Sequence, residues 1–169
     1  MNMETLVTRA LTFATKAHDG QMRKYTGEHY IVHPIAVSAL IRGIGLSEEA
    51  QAAALLHDTV EDTDVTLAEI ETNFGYKVAS MVFALTDVAD ATKNRATRKQ
   101  ETRARYMSIR RWAYEIHSIK VADLIDNTAS IKAYDVNFYK VYRTEALLLI
   151  ESLWHGDHRL LAKLKEVLV

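Results

Sequence analysis

The sequence predicts an all-α protein folded as a single domain over residues 1–169, and three observations carry that prediction. Apolar residues recur at spacings of three and four in one segment after another. No stretch alternates polar and apolar residues for long enough to make a sheet. With 169 residues the chain is long enough for one good core and short for two ordinary domains. Composition narrows the function classes. The chain has no cysteine, which removes disulfides, thiolate catalysis and thiolate zinc, so any metal must be held by His, Asp or Glu. No apolar run approaches the ~18 to 20 residues of a membrane span, and Met1 to Asp19 is a polar-faced helical pattern rather than a signal peptide, so no membrane is expected and the cytoplasm is the default location. A net charge of −1 gives no global field for nucleic acid.

The elements follow in order. Thr5 to His18 places Leu6, Ala10, Phe13, Ala14 and Ala17 on one helical face and stops at Gly20, a natural C-cap. A loop from His18 to Tyr30 then carries the basic pair Arg23-Lys24. In Ile31-Val32-His33-Pro34 the only proline is expected to open the next helix at its first position and to hold His33 extended before it. Ile35 to Ile44 is a helix closed by Gly43 and Gly45, and Ser47 with Glu48 and Glu49 starts the next. Thr66-Leu67-Ala68-Glu69 is a capping box, and Ile70, Phe74, Val78, Met81, Val82 and Leu85 continue as two helices or one kinked at Gly75. Asp87 to Thr97 loses periodicity and reads as a mobile connection before an arginine-rich helix from Arg98 to Trp112. From Ile116 to Ile131, Ile116, Ile119, Ala122, Ile125 and Ala129 mark a buried face, with Lys120, Asp123 and Asn127 on a second. Val141 to Trp154 and His158 to Leu168 complete the helices.

The chemistry concentrates where the helix after Ser47 runs through Ala53-Ala54-Leu55-Leu56 into His57-Asp58-Thr59-Val60-Glu61-Asp62. Continued as a helix, this stretch sets His57 and Glu61 about 40° apart, with Asp58 and Asp62 as a second such pair. One imidazole and three carboxylates then share one space. His57 and Asp58 suit a hard-to-borderline divalent cation, and two carboxylates one turn on can manage a water on it. The plainer alternative is a solvated acidic helix end, but such crowding is repulsive without a cation and a helix C-terminus disfavours negative charge. A lone histidine is more often structural than a ligand, so the case for His33 rests on partners elsewhere.

Taken together, His33, His57-Asp58 and the distant Asp123 resemble the metal-binding signature of the HD superfamily of phosphohydrolases. More specific is the series His18-x-Gly20-Gln21-x-Arg23-Lys24, Tyr30-Ile31-x-His33-Pro34, Leu55-Leu56-His57-Asp58-x-Val60-Glu61-Asp62-Thr63, Phe74-Gly75 and Ile119-Lys120-x-Ala122-Asp123-Leu124-x-x-Asn127. It is similar to the hydrolase domain of RelA/SpoT-type proteins, from about Leu6 to at least Ile131. With no room for synthetase or regulatory domains, the chain resembles the small alarmone hydrolases. Asn94 to Lys99 and Ala122 to Asn127 are also similar to that subgroup. The resemblance implies a single HD-type helical domain that hydrolyses the 3′-pyrophosphate of guanosine tetra- or pentaphosphate, with manganese as the usual ion. It implies His33, His57, Asp58 and Asp123 as metal ligands and Glu61-Asp62 as the pair that positions water and moves protons. Arg23 and Lys24 match the family's nucleotide-binding pair, Asn127 its ribose contact, and Ser130 keeps a hydroxyl where relatives often carry Thr. Ala129 departs from the Arg common there in long relatives. Arg98, Lys99 and Arg143 are further candidates for phosphate contacts, against the simpler reading of solvated basic side chains.

The rival readings are another nucleotide phosphohydrolase of the superfamily, acting on nicotinamide dinucleotide phosphate or adenine alarmones, and a non-catalytic nucleotide- or RNA-binding regulator using Arg95 to Arg111. The expected partner is a small-molecule nucleotide. His29, His117, His155 and His158 have no motif partner and are expected near the surface. Tyr25, Tyr76, Tyr106 and the two tryptophans are expected to pack.

Overall fold

The computed structural model describes residues 4–87 and 92–169. Apart from one isolated antiparallel bridge between Met22 and His29, all regular structure among these residues is helical, as expected. The helices are α1 (Leu6–Ala17), α2 (Val32–Gly43), α3 (Glu48–Leu56), α4 (Thr59–Asp62), α5 (Leu67–Phe74), α6 (Tyr76–Leu85), α7 (Arg95–Ser108), α8 (Ala113–Tyr134), α9 (Val136–Ile150) and α10 (His158–Val167). None of them is long and apolar enough to cross a membrane.

The chain divides into two compact units, residues 1–86 and 87–169. In the first, α1, α2 and α6 pack on α3. Ala50, Ala52, Ala53, Ala54, Leu55 and Leu56 are all buried, so α3 is enclosed on nearly every side, and its alanines let neighbouring helices approach closely. In the second, the 22-residue α8 packs against α9 and α10.

Helix starts stand where the local chemistry puts them. Thr5 Oγ1 accepts from Thr8 N–H, Ser47 Oγ from Ala50 N–H, and Thr66 and Glu69 form the reciprocal capping box. Gly75, at φ 85°, separates α5 from α6, so the Thr66 to Leu85 segment is two helices.

Several expectations are corrected; among them, the helix expected from Val141 to Trp154 spans Val136–Ile150, and Tyr76 and Trp154, expected to pack, are exposed. His33 lies inside α2 and Pro34 is its third residue, not its first. The first turn of a helix has no intrahelical acceptor for its N–H groups, so proline there forfeits none, and burial of His33 and Pro34 overrides the extended bias before proline. The arginine-rich helix starts at Arg95, capped by Asn94, and ends at Ser108; Trp112, at φ 54°, precedes α8. Ala129 is exposed and Thr128 takes its place inside, because the Thr128 hydroxyl donates to Leu124 O at 2.6 Å and needs no water. His117 is fully buried, with Nε2 donating to Tyr106 O at 3.1 Å and Nδ1 accepting from His155 N–H at 3.3 Å. The exposure expected of His29, His155 and His158 is observed. Within the expected mobile connection, residues 88–91 lie outside the described residues.

Candidate metal and nucleotide site

The helix expected to run unbroken through His57 to Asp62 is interrupted. α3 ends at Leu56, His57 and Asp58 form a turn in αR conformations, and α4 follows as a single turn. Side chains take over the last carbonyls of α3: His57 Nδ1–H donates to Ala54 O at 2.8 Å and the Thr59 hydroxyl to Leu56 O at 2.7 Å. Because a carbonyl only accepts, this fixes the His57 tautomer and leaves Nε2 with its lone pair. That nitrogen lies 3.1 Å from Asp58 Oδ2, and His33 Nε2 lies 3.5 Å from the same oxygen. The two rings are 5.2 Å apart and both are buried. Candidate ligand atoms of His33, His57 and Asp58 all lie within 4.8 Å of one another. Two buried imidazoles and a partly buried carboxylate converging on one point fit a divalent cation in charge and ligand type.

Glu61 and Asp62 occupy the single turn beyond, on the solvent side. Partial desolvation and then the Asp58 carboxylate push the Asp62 carboxyl above its ordinary range, opposed by Tyr30, His18 and Gln21. Tyr30 also donates to Asp58 Oδ2 at 2.6 Å. Tyr30, Gln21 and His18 are site residues for which the sequence pattern predicts no role of their own. The available signal was their place in the motif stretches flanking Arg23-Lys24 and His33.

Arg23 and Lys24 stand on a pinned loop. Arg23 N–H donates to Glu28 O at 2.8 Å and Tyr30 N–H to Gln21 O at 2.9 Å, while Gly27, at φ 69°, supplies the turn. Arg23 is half-buried and Lys24 is exposed, its ammonium 4.9 Å from the Tyr25 ring centre.

The other predicted residues belong to the second unit. Asp123 is buried on α8, and its two oxygens accept from Lys120 Nζ at 2.8 Å and Asn127 Nδ2 at 2.6 Å, so the expected polar face of this helix is real. Burial opposes the Lys120 charge, yet Asp123, helped by Tyr106 and Asp87, holds the ammonium well above the usual lysine range. Asn127 and Lys99 open on a cavity of about 640 Å³ that also has Leu124, Phe138, Tyr142 and Arg103 on its wall. Ser130 and Arg143 are not among its lining residues. The Ser130 hydroxyl donates to Asn127 O at 3.1 Å, and Arg143 Nε donates to Leu168 O at 2.6 Å, a cation at the C-terminal end of α10.

On this helical scaffold two imidazoles and an adjacent carboxylate converge beside further acidic groups, a ligand set that could hold a metal ion. The chain belongs to the HD domain family, whose model matches residues 10–147. It is 39% identical over 130 residues to a probable guanosine-3′,5′-bis(diphosphate) 3′-pyrophosphohydrolase of Synechocystis sp., which covers 76% of this chain and 17% of that protein. It is 33% identical over 152 residues to a protein of Aquifex aeolicus named guanosine-3′,5′-bis(diphosphate) 3′-pyrophosphohydrolase, covering 88% of this chain and 21% of that one. The chain thus spans about one fifth of the length of these curated relatives. A solved structure of a metazoan ortholog of SpoT, described as hydrolyzing ppGpp and acting in starvation responses, superposes with a TM-score of 0.84. It shares 27% identity and covers 99% of this chain and 96% of that one.

Proposed function

We propose that this protein is a (p)ppGpp 3′-pyrophosphohydrolase, releasing pyrophosphate from guanosine tetra- or pentaphosphate and leaving GDP or GTP. The observation that carries the reading is the cluster of buried His33 and His57 with the partly buried Asp58, with Asp62 beside it, in a chain similar to proteins named for that reaction. The whole chain acts as one HD-type domain in this reading, and the family match runs across the boundary between its two units.

His33, His57 and Asp58 hold the divalent ion, with Asp123 kept as the fourth ligand on the strength of the sequence motif. A divalent ion there, manganese in this reading, acidifies water and shields phosphate oxygens. Hydrolysis joins the oxygen of water to the 3′-linked phosphorus and breaks its bond to the ribose oxygen. A carboxylate must take the proton of the water and the ribose oxygen must receive one, and Glu61 and Asp62 are the groups placed for that traffic. Arg23 and Lys24 bind the nucleotide, the Arg23 guanidinium being suited to stack on a purine. Asn127 contacts the ribose. Ser130 and Arg143 stay in this reading as substrate contacts: the Ser130 hydroxyl donates to Asn127 O and Arg143 Nε to Leu168 O, which engages only one of the five N–H groups of the guanidinium. The substrate is a small-molecule nucleotide rather than nucleic acid, and the setting is the cytoplasm.

The experiment is turnover of guanosine tetraphosphate with manganese, with and without chelator, alongside the adenine analogue, a nucleoside 5′-monophosphate and nicotinamide dinucleotide phosphate. The expected result is chelator-sensitive release of one pyrophosphate per nucleotide, fastest with the guanine substrate. Preference for the monophosphate or the dinucleotide overturns the alarmone assignment, and inactivity with metal bound favours the regulator.

A further inference from the structure

Around the cluster stand three side chains that the reaction as described does not use. His18, on the C-terminal boundary of α1, is buried, and its Nδ1 is 2.7 Å from Gln21 Oε1. An amide oxygen only accepts, so Nδ1 carries the proton. The other nitrogen of His18, Nε2, is buried with no hydrogen-bond partner among the described residues. Burying a polar nitrogen without a partner opposes stability. With its oxygen engaged by His18, the Gln21 amide keeps its N–H groups as donors, and a Gln21 side-chain hydrogen bond favours the ionised Asp62 carboxylate. Gln21 and Asp62 also line one cavity of about 510 Å³. The His18 ring lies 4.7 Å from the Tyr30 ring at a 38° tilt. The Tyr30 hydroxyl donates to Asp58 Oδ2 at 2.6 Å and also contacts Asp62. Tyr30 is fixed in turn by its N–H bond to Gln21 O at 2.9 Å and by an edge contact with the His33 ring at 5.9 Å.

We propose that His18, Gln21 and Tyr30 form a positioning cradle that fixes Asp62, the proton-handling carboxylate, relative to Asp58, the metal-binding one, with Tyr30 setting Asp58 and the His18–Gln21 pair setting Asp62. This rests on the reading of Glu61-Asp62 and the metal cluster given above. The three residues touch no reacting atom; they act through the two carboxylates. Asp62 is on the solvent side of a one-turn helix, where nothing in the helix itself would hold its rotamer. A carboxylate free to swing would meet the water only part of the time, and orientation is a large share of what a positioned base contributes. The cradle also explains why a buried histidine tolerates an unmet nitrogen: its Nδ1–H and its ring face are both committed to holding other groups.

The test separates the two arms. Gln21→Leu removes the amide while keeping side-chain volume, and the expected result is a fall in kcat of about tenfold or more with KM and manganese affinity unchanged. Tyr30→Phe keeps the ring, and manganese titration without nucleotide is expected to show affinity lower by about tenfold, the usual effect of losing an outer partner of a metal ligand. His18→Phe keeps the ring contact with Tyr30 and is expected to match Gln21→Leu, with the double variant no worse than either single, because one acts through the other. Circular dichroism establishes that each variant is folded; should Tyr30→Phe fail to fold, the half-exposed Gln21 carries the decision. A folded Gln21→Leu enzyme with kcat within about twofold of the parent overturns the proposal, as does additive loss in the double variant. Because manganese affinity of Tyr30→Phe is read without substrate, a parent enzyme inactive on guanosine tetraphosphate would count against the proposed reaction and leave this arm of the cradle decided.

Discussion

Asp58 Oδ2 is the most crowded polar atom of the candidate site: the Tyr30 hydroxyl and the Nε2 atoms of His57 and His33 lie at 2.6, 3.1 and 3.5 Å. Tyr30 donates to this oxygen, whereas His57 Nε2 faces it with a lone pair, and two electron-rich atoms 3.1 Å apart mark a point where a cation can bind between them. Asp58→Asn keeps the shape and removes the charge. Manganese affinity is expected to fall by more than about tenfold, and isothermal titration calorimetry measures it; parent-like affinity would show that the two imidazoles alone account for binding. Glu61→Gln and Asp62→Asn probe a different function. Each is expected to retain metal and nucleotide while losing about 100-fold in kcat, the lower range for a positioned acid or base. Near-normal turnover in both would reduce the pair to an acidic surface turn.

At the scale of elements, the local signals read well and the long-range ones did not. Thr5, Ser47 and Thr66 were legible as helix starts because a cap bonds to a residue three positions on and owes little to the rest of the chain. Gly75 announced a break for the same reason. His33 was misplaced because the bias before proline is a local tendency, whereas its inclusion in α2 depends on burial. The break at His57-Asp58 escaped notice because periodicity does not reveal that His57 and Thr59 side chains bond the carbonyls of Ala54 and Leu56. That break matters chemically, since it fixes the His57 tautomer. The convergence of His33, His57 and Asp58 was still recoverable, because residue identities and order survive an error of backbone detail. The capping box of α5 gives a clean energetic test. Thr66 is exposed, so Thr66→Ala leaves no cavity, and it removes the acceptor for Glu69 N–H and the partner of Glu69 Oε2. A loss of about 1 kcal/mol is expected in urea unfolding with the slope unchanged. No change would show that the box is decorative in this context.

For the whole molecule, stability as a function of pH sums over every group whose proton affinity changes on folding, and the misjudged histidine supplies a defined contribution. His117 was expected at the surface because nothing in its neighbourhood in sequence says otherwise; in the fold it is enclosed by Tyr106, Trp154 and His155. Burial, with a smaller contribution from His155, pushes its pKa below the ordinary histidine value, outweighing the bond to Tyr106 O. The unfolded chain, with an ordinary histidine near pKa ~6.5, therefore binds a proton at pH values where the folded chain still refuses it. Protons then favour unfolding, so the contribution of this group is fully present above about pH 6.5 and declines as pH falls through the window down to the folded pKa. Within that window its slope is at most about 1.4 kcal/mol per pH unit, the limit for one proton. Urea unfolding from pH 8 to 5.5 measures the slope in the parent and in His117→Gln, which keeps a donor and an acceptor on a side chain that does not titrate. The variant is expected to be less stable at pH 8 and to lose less on acidification. The difference between the two curves isolates His117 from the other buried histidines, His18, His33 and His57, which remain in both proteins. Parallel curves over the whole range would mean that His117 takes up its proton as readily in the folded chain as in the unfolded one, and the buried cluster around it would then have to open to water below neutral pH.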